Sequence, residues 1–113
     1  MLPEIKDLLN QSIASGLYPT LVRQINKDFL RAGLDEEFTE DYSAASLSRN
    51  LTAVVYELIV SDFEAYLNLL YTIDIPENRI KSLPEQRVDE LAVSVSGMIL
   101  NRELQKVRFR ESG

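Results

Sequence analysis

The stretch ELIVSDFEAYLNLLY, Glu57–Tyr71, decides how the chain folds. It contains no glycine or proline, and its apolar positions recur every three or four residues, the period of a helix rather than a strand. Extended to a helix over 43–72, it gathers Leu51, Val55, Leu58, Ile59, Tyr66, Leu69 and Leu70 on one arc. Asn50, Glu57, Ser61, Glu64 and Asn68 lie opposite, and Asp62 falls near the centre of the apolar arc. A carboxylate there is costly unless it is paired, reached by water or facing a ligand.

Working outward, the same period predicts a helix over 3–15 carrying Ile5, Leu8, Leu9 and Ile13 and ending at Gly16. A second, over 19–32, carries Leu21, Val22, Ile25 and Phe29, with Gly33 as a left-handed stop and Leu34 packing back on Phe29. The acidic stretch 35–41 is a connection, and a last helix is expected over 83–110. Leu2-Pro3-Glu4, Ile75-Pro76-Glu77 and Leu83-Pro84-Glu85 read as helix starts, because proline fits the first turn. Asp74-x-x-Glu77 and Ser82-x-x-Glu85 have capping-box spacing, which leaves 75–81 as a short corner helix. The expected fold is all-α: one domain over 1–113, an antiparallel helical bundle of about four main helices plus the corner.

The residues that are missing narrow the chemistry. There is no histidine and no cysteine, so imidazole and thiolate ligands, thiol nucleophiles and disulfides are excluded. Four glycines, none in a phosphate- or dinucleotide-binding motif, leave no nucleotide fingerprint. No enzyme activity, metal or cofactor is expected. Twelve basic against 18 acidic residues give a net charge of -6, which disfavours nucleic acid and anionic membrane as partners. No apolar run approaches the roughly 20 residues of a membrane span, and the N-terminus carries no leader pattern. A cytoplasmic location is expected.

Four features are candidate sites. On the last helix Arg102 falls near the centre of an arc of Val88, Leu91, Val95, Met98, Ile99 and Phe109, so an internal Asp62–Arg102 ion pair is the economical arrangement. It requires the last helix to slide by about six residues, or ~9 Å, relative to direct hairpin pairing. A second stripe, Val93, Gly97, Leu100, Leu104 and Val107, marks that helix as either central or an oligomer interface. Tyr56, Asp62 and Tyr66 would line any pocket between helices. Two basic sets, Arg23/Lys27/Arg31 and the stretch Arg102–Arg110, read as a solvated face and as dipole-favoured residues at a helix end. A docking role for that last stretch, and docking of the 35–41 acids on Arg23/Lys27/Arg31, are the alternatives. The 35–41 acids lack the alternating spacing and central glycine of a calcium loop.

Tyr66-Leu67-Asn68-Leu69-Leu70-Tyr71, Ile73-Asp74-Ile75-Pro76-Glu77 and the closing Leu100-x-Arg102-Glu103-x-Gln105-Lys106-Val107 resemble short, uncharacterised all-helical proteins of Bacteroidetes-type bacteria. The resemblance covers the C-terminal two thirds and implies an intact helical domain without a known activity. The functional expectation is a non-catalytic cytoplasmic protein-interaction module, a homodimer or the partner of another protein. The alternative is a small-molecule-binding or regulatory domain with an inter-helix pocket.

Overall fold

The structure, a computed structural model, describes residues 5–112, all of whose regular elements are helices. They are α1 (Ile5–Ala14), α2 (Tyr18–Arg31), α3 (Ala44–Ser61), α4 (Phe63–Ile73), α5 (Glu77–Lys81) and α6 (Val88–Ser112). The Leu2-Pro3-Glu4 start and the side chain of Ile5 lie outside the described residues. The Cα radius of gyration is 13.2 Å, close to the roughly 13 Å expected of a compact chain near this length. The helices therefore close around one core.

The expected long helix over 43–72 is two helices. Asp62 leaves helical geometry (φ -154°, ψ 78°), ending α3 and beginning α4. Its backbone N–H still donates to Leu58 O, while its carboxylate Oδ1 accepts from the Ala65 backbone N–H at 3.1 Å. Aspartate is favoured here because it satisfies a first-turn amide that has no partner within the helix. Once the helix is interrupted, the wheel that placed Asp62 amid apolar residues no longer applies, and the side chain is exposed.

The α2 terminus forms as its sequence predicts. Gly33 adopts φ 82°, Leu34 N–H donates to Phe29 O at 3.0 Å, and Gly33 N–H donates to Leu30 O at 2.9 Å. These are the two bonds of a Schellman motif, and glycine takes its left-handed position without a Cβ clash. Asp74 does the same after α4 with φ 74°, its N–H donating to Tyr71 O and that of Ile75 to Leu70 O. Asp74 thus closes α4 instead of capping α5, whose N-cap is Pro76 without a side-chain bond. Ser82 closes α5, so the second expected capping box is absent too. The last helix starts at Val88, five residues later than expected, with Glu90 Oε1 accepting from the Arg87 N–H at 3.1 Å.

Helix α6 packs against α1, α2, α3 and α4. Most of its two apolar stripes form the flanks of one broad buried face, joined through Ala92, Ser96 and Glu103, which are fully buried, whereas Val88 and Phe109 of the expected first arc are exposed. Gly97, Leu100, Leu104 and Val107, the expected oligomer interface, are therefore inside the monomer, and only Val93 of that set is exposed. The reason is geometric: four helices surround α6, so both flanks find partners in the same chain. Ile13 departs from its expected face and is half exposed at 51%.

The 35–41 connection is pinned at its middle. Phe38 is buried edge-on against Phe29, with ring centroids 5.2 Å apart. Asn26 clamps its backbone from both sides, donating to Phe38 O at 2.7 Å and accepting from Phe38 N–H at 2.8 Å. Arg23 meets Glu40 at 3.2 Å, so part of the acidic stretch docks on the α2 basic face. As a helix cap, Asp62→Ala should cost about 1 kcal/mol in urea unfolding, with Asp62→Asn or Asp62→Ser nearly neutral. A loss of ~3–5 kcal/mol would instead signal a broken buried ion pair.

Candidate functional site

Arg102 does not reach Asp62. Its Nη2 lies 2.9 Å from Asp74 Oδ2, tying α6 to the turn after α4. The slide required for the Asp62 pairing is unnecessary, because the partner is a turn residue one helix further on. The pair is at the surface, with Asp74 76% exposed, so its stabilisation is modest.

The buried charges are elsewhere, between α2 and α6. Asp28 and Glu103 are both fully buried, and Lys106 inserts its ammonium between them, 2.7 Å from Asp28 Oδ2 and 3.0 Å from Glu103 Oε1. Gln24 Nε2 donates to Asp28 at 3.2 Å, Arg31 lies 3.4 Å from its other oxygen, and Arg110 donates to Gln24 Oε1 at 2.9 Å. Neither Glu103 oxygen completes a well-aligned hydrogen bond. Burial, and then the hydrogen bond and charge of Asp28, push Glu103 up to about 9, only partly opposed by Lys106. It is therefore held as the neutral acid at pH 7. Burial also raises Asp28, but hydrogen bonds from Glu103, Lys106 and Gln24 and the Lys106 charge outweigh it and leave that carboxyl below its ordinary value. Two carboxyls, one proton and one ammonium balance in charge.

Sequence reasoning missed this cluster, although its two carboxyls each carry a local signal. Asp28 flanks the α2 apolar face one turn after Ile25, and Glu103 lies between Ile99 and Val107 on the α6 wheel. The closing basic stretch also finds partners within the chain: Lys106 on the cluster, Arg110 on Gln24, and Arg108 donating to Gln11 at 2.9 Å. The two buried carboxyls are met by side chains of the same chain, and an open depression of about 760 Å³ lined by Arg102, Gln105, Lys106, Phe109 and Arg110 lies beside them. Among the described residues no group of three or more acidic side chains is placed to hold a metal ion.

The recessed apolar site lies at the α4–α5 corner. It is a groove of about 440 Å³, walled by Phe63, Tyr66, Leu67, Leu70 and Tyr71 of α4. Ile75 and Pro76 of the turn, Ile80 of α5 and Leu91 of α6 close it. Phe63, Leu67 and Tyr71 recur at i, i+4 and i+8, and are exposed by 53%, 39% and 83%. The groove exists because α4 ends at Asp74 and the chain turns through Ile75-Pro76 to lay α5 across its end. Tyr66 is 1% exposed and its hydroxyl has no hydrogen-bond partner. Burial also raises its pKa.

Of the three expected pocket residues, only Tyr66 lines this groove. Tyr56 faces a separate shallow depression beside Val93, and Asp62 is occupied as a cap. No protein-family model, curated protein or solved structure matches the chain. No helix among the described residues is long and apolar enough to cross a membrane.

The cluster carries a pH dependence whose sign follows from Glu103. Its raised folded pKa makes its contribution complete below the unfolded value near 4.5 and lost as pH rises to about 9. Asp28, being lowered, acts the other way, its contribution being lost only in acid as pH falls through its folded pKa. Urea midpoints should therefore decline from mildly acidic pH toward pH 9, with a slope of at most ~1.4 kcal/mol per pH unit. Glu103→Gln should flatten the decline. Lys106→Met should cost about 3–5 kcal/mol at pH 7, because it removes the ammonium from a buried carboxylate.

Proposed function

We propose that the protein is a non-catalytic binding domain whose working surface is the α4–α5 groove, taking a small, mainly apolar molecule. The observation that carries this is the groove itself: a recess of about 440 Å³ whose lining is mainly apolar, with Asp74, Glu77 and Lys81 as its charged members. That volume is within the roughly 300–1,000 Å³ range of small-molecule sites. The absence of histidine and cysteine, and a buried ionic cluster whose carboxyls are met by side chains of the same chain, support a binding role over a catalytic one.

A second reading keeps the apolar face of a protein partner, including a second copy of this chain, as the occupant. The stripe Phe63, Leu67 and Tyr71 favours it, because its helical spacing suits ridge-into-groove packing against another helix. The α6 stripe no longer supports self-association, since Leu100, Leu104 and Val107 are core residues.

A neutral fluorophore such as N-phenyl-1-naphthylamine tests the first reading, and the chain has no tryptophan to interfere. Saturable one-to-one binding is expected, with loss of about tenfold or more in affinity in Leu67→Glu and an unchanged urea midpoint. No saturable binding, or binding indifferent to Leu67→Glu, would overturn it. A dimer at high micromolar concentration that Leu67→Glu dissociates would favour the second reading.

A further inference from the structure

The C-terminal half of α6 gathers positive charge on a chain whose net charge is -6. Residues 102–110 hold four of the 12 basic side chains, Arg102, Lys106, Arg108 and Arg110, against one acid, Glu103, which is buried and neutral. Arg102, Lys106 and Arg110 recur at i, i+4 and i+8, so their Cα atoms step by about 6 Å along one face. With Gln105 and the 81% exposed Phe109 they line the open depression of about 760 Å³. Arg31 of α2 adds a fourth cation on the Asp28 carboxylate that Lys106 also meets.

The partners of these cations do not balance them. Arg31, Arg102, Lys106 and Arg110 meet two carboxylates, Asp28 and Asp74, and Arg110 donates to the neutral Gln24 amide, so four positive charges less two negative leave an excess of two. A guanidinium has five N–H donors, and the contacts of Arg102 and Arg110 each take Nη2. The helix dipole accounts for a cation in the last turn, but Arg102 lies more than two turns before the end of α6.

We propose that this depression on α6 is a second binding site, for a small aromatic phosphate monoester. Such an ester carries about -1.5 to -2 charges at pH 7, which matches the local excess. Arg102 and Arg110 hold the phosphate by charge-assisted hydrogen bonds, roughly twice as strong as neutral ones. Lys106 adds its charge while remaining on Asp28. Phe109 offers its ring face to the aromatic part of the ligand. The site is independent of the α4–α5 groove, with which its lining shares no residue.

Four probes test this by amide NMR of the full chain at pH 7: 1-naphthyl phosphate, 1-naphthoate, 1-naphthol and inorganic phosphate. 1-Naphthyl phosphate is expected to shift residues 102–110 saturably, about tenfold tighter than 1-naphthoate or inorganic phosphate, while 1-naphthol leaves them unshifted. Raising the salt from about 20 to about 300 mM should weaken that binding several-fold. Arg102→Gln and Arg110→Gln should each weaken it about three- to tenfold, with the protein still folded by its urea midpoint. Arg49→Gln removes the same charge from an exposed residue of α3 and should leave the affinity unchanged. Equal weakening by Arg49→Gln would reduce the effect to net charge and overturn the site. So would shifts confined to α4 and α5, or no saturable shift at all. Inorganic phosphate matching 1-naphthyl phosphate would overturn the aromatic part of the assignment, and 1-naphthoate matching it would overturn the choice of a dianion.

Discussion

Lys106 reaches between two buried carboxyls, and the placement of α2 against α6 depends on how that contact is made. An ammonium 2.7 Å from Asp28 and 3.0 Å from Glu103 can be kept out of water only if the carboxyls supply what water would have supplied. The cost of misalignment is severe, because sliding α6 by one residue along α2 would strand a charge in the core. Apolar side chains tolerate such slips far better, since one leucine substitutes for another. A cluster of this kind adds little net stability, yet it fixes register and so selects one packing among several of similar apolar content.

With α6 held, the other helices have little freedom. It lies against α1, α2, α3 and α4, and its buried face carries residues from Ala92 to Val107. The Asp74–Arg102 contact joins α6 to the turn after α4, which the left-handed Asp74 and the Ile75 N–H bond to Leu70 O close from within. The groove is the space left where a five-residue helix crosses the end of α4 without filling it.

Much of this was legible in the sequence, and the misreadings share a cause. Period and stop signals placed α2 well, because Gly33 and Leu34 act locally and need no knowledge of the rest of the chain. Asp62 was misread because a wheel assumes one continuous helix, and under that assumption a capping aspartate looks like a core charge. Its neighbour Glu64, in the first turn of α4, was the available hint. Ser82-x-x-Glu85 had capping spacing but lost to Arg87 and Glu90, since spacing alone cannot rank two starts on one chain. The α6 stripes were counted through apolar residues only, so Glu103, sitting between them, went unseen. Its burial depends on Asp28 and Lys106, which are 78 residues apart in sequence, and no local pattern reports that distance.

The Asn26 clamp on Phe38 has a consequence for the chain's entropy. By anchoring its midpoint, the protein turns the connection from Gly33 to Ser43 into two short loops, each closed at low cost. Closure entropy grows only with the logarithm of loop length, and each doubling adds only about 0.6 kcal/mol. The outer half, through Thr39, Glu40 and Asp41, can therefore be lengthened by several residues while the anchored half stays as it is. The same tether buries Phe38 while the pairs that flank it in the chain, Glu36-Glu37 and Glu40-Asp41, stay exposed, so their mutual repulsion is screened by solvent rather than set against the core.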